Sequence, residues 1–436
     1  MTDHQQQPDP NRAIFSNPNW LSDEKLRVMG VPDLHKESFR RYVYQQAFGL
    51  NTCFDVIGPH TFATEFLPLT ADEVEAIVSN FSPVYKKCTD ENARQKVRGN
   101  VMLSALANRI DARIAILGGG AVFVKLNTRS PKDVMFDDFE EAHVNRVIKS
   151  IKDDLVDIRK EQTVALESAA SAGTTIDPAV QPHVANVPTP SPTDFALASL
   201  NRTMLRLLRL TTGESAVTLL LRSRRVNEDL GRVRQFAQYD SRVLAGPNAA
   251  ATQQGGDEGE STNSLVASLV LRAWSDTVLC DTQLEHRAFV YKGTMTALTQ
   301  YDSMTYDVRI ARAKDEIPAR VLAFWQRELR DRLAVRHESY VVDFLVGENE
   351  IKVIELNPFH NGAGGCLFSW TTDRQQLMGE TLEYRYVCEP AKAEVFKVFP
   401  AVWDRELSRL VKSDGERERK EMGVFGVARK VLGKWF

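Results

Sequence analysis

The stretch that most limits how this chain can fold runs from Tyr340 to Trp370 and reads YVVDFLVGENEIKVIELNPFHNGAGGCLFSW. Two apolar, strand-like runs flank a short polar loop. Asp343 interrupts the first run; Glu355 and Asn357 interrupt the second. Strand side chains alternate faces, so Glu355 and Asn357 share one. A three-residue loop, Glu348–Asn349–Glu350, sets Gly347 opposite Ile351 and Asp343 opposite Glu355, with all three polar groups on one side. A two-residue loop would turn Asp343 to the other face. Adjacent carboxylates repel, and burying either alone is costly. A hard divalent cation resolves both difficulties, and two carboxylates with an amide suit magnesium. The same spacing also suits an edge hairpin whose polar face meets water, with Asn357–Pro358 leaving as a plain turn.

A second polar intrusion lies in AVFVKLN, Ala121 to Asn127. As a strand it points Val122, Val124 and Leu126 one way and Phe123, Lys125 and Asn127 the other. Lys125 can offer its ammonium to a phosphate as a point charge, or lie on a surface edge with its stem on apolar neighbours. The loop that follows, NTRSPKD, adds Arg129, Ser130, Lys132 and Asp133 and suits an anion. Gly118–Gly120 ahead of the strand lacks the glycine-to-lysine spacing of a P-loop. LVLRAW places Arg272 and Trp274 on one strand face, and EHRAFV does the same for Glu285, Arg287 and Phe289. Arg287 can meet a phosphate or pair with Glu285 or Asp302.

Around these segments helices and hairpins mix. Thr70 and Glu73 form a capping box ahead of a Val74, Ile77, Val78 stripe. Phe139 to Gln162 and Pro318 to Ala334 read as helices, and HRAFVYKGTMTALTQYD as a hairpin turning at Lys292–Gly293. Hairpin strands with intervening helices predict an α+β fold rather than a doubly wound parallel sheet. No internal repeat stands out. Ala170 to Asp194 and Leu244 to Asn263 are too poor in apolar residues to offset their ordering entropy, and read as disordered loops.

Composition narrows the function classes. The chain has 436 residues, 43% hydrophobic and 26% charged, as in ordinary soluble proteins of two or three domains. A net charge of -3 gives no global pull toward nucleic acid or an acidic membrane, so direct nucleic-acid binding is not expected. No apolar run reaches the roughly 18 residues of a spanning helix. The N-terminal MTDHQQQPDPNR has no signal-peptide core. Five scattered cysteines without a CxxC pair argue for a reducing, cytoplasmic setting over disulfides or zinc.

Taken in order, FVKLNTRSPKD, LRSRRVNEDL, LVLRAW, EHRAFVYKGTMTALTQYD, VVDFLV and VIELNPF with LFSW resemble the cell division cycle protein 123 family, which has an ATP-grasp fold. The resemblance spans roughly residues 66–370. It implies two α+β lobes with a nucleotide cleft between them. The expected division is an N-terminal, partly helical extension (1–65), an N-terminal lobe (66–243) with the Pro-rich insertion, a loop (244–263), a C-terminal lobe (264–412), and a charged linker with a basic tail (413–436). By resemblance, Lys125 serves the ATP phosphates, the polar loop after it supplies Ser130 and Asp133, and Asn127 belongs to the same nucleotide site. Arg272, Ala273 and Trp274 form the hinge against adenine, Arg287 matches the arginine of an EFR-type strand, and Asp343, Glu355 and Asn357 become the magnesium ligands. The chain departs from the family pattern at Glu355, where Asp is usual, at Thr128, where Trp is usual, and at HNGAGG (360–365), which replaces a more acidic segment.

The family resemblance implies an ATP- and magnesium-binding factor that assembles eukaryotic translation initiation factor two through its gamma subunit. The alternative is an ATP-grasp enzyme, a carboxylate–amine ligase or phosphotransferase; fold alone does not separate the two. No separate acceptor motif is evident. The tail Met422 to Phe436 carries an apolar stripe and three basic residues, and suits docking on its own domain, on a partner or on an anionic membrane.

Overall fold

A computed structural model describes residues 21–82, 90–135, 141–172, 187–236, 239, 267–276, 282–413 and 416. The tail at 422–436 and the loop at 244–263 lie outside these residues. The proline-rich stretch is shorter than its composition suggested. Helix Glu141–Ala172 runs into its start, and Ser191 and Asp194 form a capping box for helix Pro192–Arg206 at its end.

The class is α+β, built on two sheets. Strands β1 (Thr64–Pro68), β2 (Val122–Leu126) and β3 (Ser268–Ala273) form an antiparallel sheet with β3 in the middle. Strands β4 (Glu285–Tyr291), β5 (Thr294–Gln300), β6 (Tyr340–Val346), β7 (Ile351–Pro358) and β8 (Glu383–Arg385) form the second, in the order β7-β6-β4-β5-β8. The β4–β5 turn has Lys292 and Gly293 both in the left-handed region, φ 47° and 73°, as a two-residue hairpin turn of matching twist requires.

Alternation sorts the first sheet. Val124, Leu126, Leu269 and Leu271 join a core with helices α1 (Lys36–Gln46), α2 (Ala71–Ser79), α3 (Asp90–Gly99), α4 (Val101–Ile116), α5 (Glu141–Ala172), α6 (Pro192–Arg206), α7 (Gly213–Arg222) and α8 (Arg224–Phe236). The predicted capping box starts α2: Thr70 Oγ1 accepts from the Glu73 amide at 3.2 Å, and Glu73 accepts from the Thr70 amide at 2.8 Å. Helix α7 meets α4 so closely that a Cβ at Gly213 would lie 1.8 Å from the Ala107 carbonyl oxygen.

The other face of the first sheet turns toward the second. Phe66 and Val270 pack with Val342, Phe344, Val353 and Leu356, and with Val321 and Trp325 of α9 (Glu316–Glu328), in a core that joins the sheets. Residues 48–57 complete that core, while the helix before them packs in the first one. The N-terminal segment therefore spans both lobes.

The register of β6 and β7 decides where the carboxylates go. Asp343 does pair with Glu355, but not through a three-residue loop. Val346 faces Ile351, so four residues, Gly347 to Glu350, make the turn. That register alone would set Ile354 opposite Asp343. A bulge at Ile354 absorbs one residue and brings Glu355 and Asn357 back to the Asp343 side. Its carbonyl is then free to accept from Arg272.

Candidate functional site

One face of the second sheet carries Arg287, Asp343, Glu355 and Asn357 in neighbouring registers. Lys125 and Arg272 project toward it from the first sheet. Between the sheets and helices α1 and α8 lies a cleft of about 830 Å³. Among the described residues its charged lining is Arg41, Arg129, Lys132, Arg225, Arg232 and Arg287 against one acid, Glu355.

Two ion pairs make the floor. Lys125, almost fully buried, donates to Glu355 Oε2. Arg287 grips Asp343 with two hydrogen bonds, Nε to Oδ1 and Nη2 to Oδ2, both 2.8 Å. Its remaining nitrogen donates to the Ala363 and Gly364 carbonyls, which fastens the 360–365 loop to the floor. Asn357 Nδ2 lies 3.3 Å from Asp343 Oδ2 and 3.5 Å from Glu355 Oε1, donating toward both. Tyr301 stands between two cations, with Arg287 4.9 Å and Lys132 5.4 Å from its ring centre.

The electrostatics follow from this packing. Burial favours a neutral Glu355, but Lys125, Lys132 and Arg287 pull its carboxyl down to about 2. Burial pushes Asp343 up, against the pull of Arg287. Burial likewise raises Glu285 to about 7, with Lys132 opposing and the charges of Asp343 and Glu355 adding. Lys125 is pushed down by burial, with Glu355 opposing. For Lys132 the burial penalty is outweighed by Tyr301, Glu285, Glu355 and Asp343, which hold its ammonium above the ordinary lysine value.

The residues picked out by sequence divide into three groups. Arg287, Glu355, Asn357 and Ser130 line the cleft, with Lys125 and Asp343 directly beneath its floor. Asn127, Asp133 and Arg272 shape it from behind. Asn127 Nδ2 donates to Asn51 Oδ1 at 3.1 Å, and its carbonyl accepts from the Leu50 amide. Asp133 accepts from Ser223 Oγ at 2.7 Å and from the Arg225 amide at 3.2 Å, at the start of α8. Arg272 donates to the Ile354 carbonyl. Ala273 and Trp274 do not line the cleft. They end β3, where the Trp274 amide donates to the Ala121 carbonyl and its indole to Asp276.

Sequence reading left out several cleft residues. Ser38, Arg41, Tyr42 and Gln45 come from one face of α1. Their i, i+3, i+4, i+7 spacing was a helical signal inside what reads as an extension. Arg225 and Arg232, seven apart on α8, are a second such face. Tyr301 carries no spacing signal of its own; it follows β5, where its amide donates to the Glu285 carbonyl at the start of β4.

The donor set suits a magnesium ion. One oxygen of each carboxylate, Asp343 Oδ2 and Glu355 Oε1, converges on the Asn357 amide nitrogen. Asp343 and Glu355, with Asn357 through its amide oxygen, would hold such an ion, since a hard cation takes oxygen donors. Among the described residues no cluster of three or more His, Cys, Asp or Glu forms a protein-only metal site. Two carboxylates with an amide leave positions for waters and phosphate oxygens, as magnesium prefers.

Comparison with known proteins bears on the same region. Residues 189–401 match the model of the D123 family. They include Arg272, Arg287, Asp343, Glu355 and Asn357, while Lys125 and its loop precede them. The chain is 28% identical over 104 residues to a translation initiation factor eIF2 assembly protein of Candida albicans, covering 23% of this chain and 29% of that protein. It is also 28% identical over 110 residues to the protein of the same name from Xenopus laevis, covering 25% and 31%. The match thus spans about three tenths of those relatives' length. The structure of Cdc123 from Schizosaccharomyces pombe aligns with 79% of this chain and 97% of its own, at 17% identity and a TM-score of 0.45. No helix among the described residues is long and apolar enough to cross a membrane.

Proposed function

We propose a function from one premise: the chain is a member of the D123 family through residues 189–401. It acts as an ATP- and magnesium-binding assembly factor for translation initiation factor eIF2, engaging the gamma subunit. The names of its relatives support the eIF2 part. The nucleotide part rests on one observation: two carboxylates converge on a single amide at the floor of a cleft whose other charged lining is cationic. Asp343, Glu355 and Asn357 would hold magnesium, which would screen the charge of bound phosphates. Lys132, Arg287 and Ser130, which line the cleft, would meet the phosphates themselves, with Lys125 fixing Glu355 from behind.

An ATP-grasp enzyme is the second reading. It is favoured by the exposed Arg225 and half-buried Arg232 at the cleft mouth, which give an anionic acceptor somewhere to bind. Copurification separates the two. Full-length tagged protein should retain eIF2 gamma from its own cells in an ATP-dependent manner without stoichiometric ADP release. ADP formation that depends on an added carboxylate or amine, with no eIF2 subunit retained, would favour the enzyme.

A further inference from the structure

A second cavity, of about 250 Å³, lies behind the turn that carries Lys132. Val134 and Met135 of that turn, Leu208 and Leu210 after α6, and Leu219 of α7 give it an apolar wall. Its charged lining is Asp90, Arg94, Arg209 and Arg222. Asp90 and Arg222 pair with each other. Neither Arg94 nor Arg209 has a carboxylate within ion-pair distance among the described residues, though Arg94 acts at longer range on Glu214. Among the described residues, one acid against three arginines leaves a surplus of two positive charges. Thr218, which also lines the cavity, is 5% exposed, and its hydroxyl has no hydrogen-bond partner. An unmet hydroxyl inside a protein is costly, and a ligand atom would satisfy it.

We propose that this cavity binds a small organic anion. Its apolar body lies on the Val, Met and Leu wall, its acid group meets Arg94 and Arg209, and Thr218 supplies a hydrogen bond. An apolar cavity of about 150 Å³ already admits benzene, so a one-ring acid has room. The occupant also acts on the main cleft, a consequence that rests on the nucleotide reading above. Val134 and Met135 share one 3₁₀ turn with Lys132, and Asp133 pins that turn to the start of α8, which carries Arg225 and Arg232 into the cleft. By linkage, whatever the anion does to nucleotide affinity the nucleotide does to the anion's.

Fluorine NMR of the full chain titrated with 4-fluorobenzoate tests the site, with 4-fluorobenzyl alcohol as the uncharged control. The acid should bind saturably, and at least about tenfold more tightly than the alcohol, since charge-assisted bonds to arginine are the stronger kind. The exposed-side substitutions Arg94→Gln and Arg209→Gln, made together, should remove that preference. Thr218→Val, of equal size, should weaken the acid by a smaller factor with the thermal midpoint retained. Equal binding of acid and alcohol, unchanged binding by the double variant, or no saturation overturns the proposal. For the coupling, saturating 4-fluorobenzoate should shift MgATP affinity at least about threefold in the wild type but not in the double variant. Unchanged MgATP affinity beside intact 4-fluorobenzoate binding overturns the coupling alone. Absence of MgATP binding in both conditions overturns the nucleotide reading instead.

Discussion

The floor and the mouth of the cleft both carry cations, but they hold them differently. On the floor, Lys125 and Arg287 each have a carboxylate of their own, Glu355 and Asp343, inside the protein. At the mouth, Arg129 and Arg232 both lean on Asp229, at 3.4 and 3.0 Å, and Arg225 has no carboxylate within ion-pair distance among the described residues. A buried charge must be paired for the chain to fold at all, whereas an exposed one is solvated and can wait for a ligand. Folding and binding are therefore entangled on the floor and separable at the mouth.

The largest expected effect follows from breaking a floor pair. Arg287→Met leaves Asp343 buried without its guanidinium and frees two carbonyls of the 360–365 loop. The cost should be about 3–5 kcal/mol of stability, read by urea denaturation. A variant as stable as the wild type would remove the distinction between floor and mouth.

Next comes pH. Burial raises Glu285 from 4.5 to about 7 in the folded chain, so the folded state holds a proton that the unfolded state has released. Stability from this group is full below 4.5 and is lost as pH rises through 7, by roughly 3 kcal/mol at most. Glu285→Gln should flatten the fall in urea midpoint between those limits. An unchanged slope would show that Lys132 holds Glu285 ionised throughout.

Smaller again is Lys125→Met. It removes the cation behind Glu355, and MgATP affinity should fall roughly 10- to 100-fold, the scale of a charged hydrogen bond. Stability should fall with it, because Glu355 loses its closest partner. The least effect on folding belongs to Arg225→Gln at the mouth. Its stability should stay within about 0.5 kcal/mol of wild type. Its MgATP affinity should drop about fivefold, worth roughly 1 kcal/mol. A matching loss of stability would place Arg225 with the floor.

Much of this site was legible because strand alternation is a strict rule. Lys125, Arg287, Asp343, Glu355 and Asn357 could each be assigned a face from sequence. The facing of Asp343 and Glu355 came out as expected although the loop behind it differed, since the bulge at Ile354 offsets the extra turn residue. Bulges leave little trace in a sequence, because the inserted residue needs no special side chain. Asp133 pointed to an anion by its company in NTRSPKD, yet its carboxylate is taken by Ser223 and the Arg225 amide, far along the chain. The cleft-facing role of helix α1 was missed for a related reason. Its polar face looks like any solvated helix face until the fold lays it against residues more than 300 positions away, at Asn357 to Gly364.

The central claim is that the floor carboxylates and Asn357 hold magnesium under a nucleotide. Calorimetric titration of ATP with and without magnesium, into wild type and Asn357→Ala, tests it most directly. Asn357 is half-buried and uncharged, and its amide donates toward Asp343 and Glu355, so its loss should cost about 1–3 kcal/mol of stability, measured beside the titration. Wild type should bind MgATP in the range of about 1 μM to 1 mM typical of nucleotide sites. Without the metal, wild-type affinity should fall at least about tenfold, and Asn357→Ala should lose most of that metal dependence. Equal affinity of wild type for ATP with and without magnesium, or no binding at all, would contradict the account.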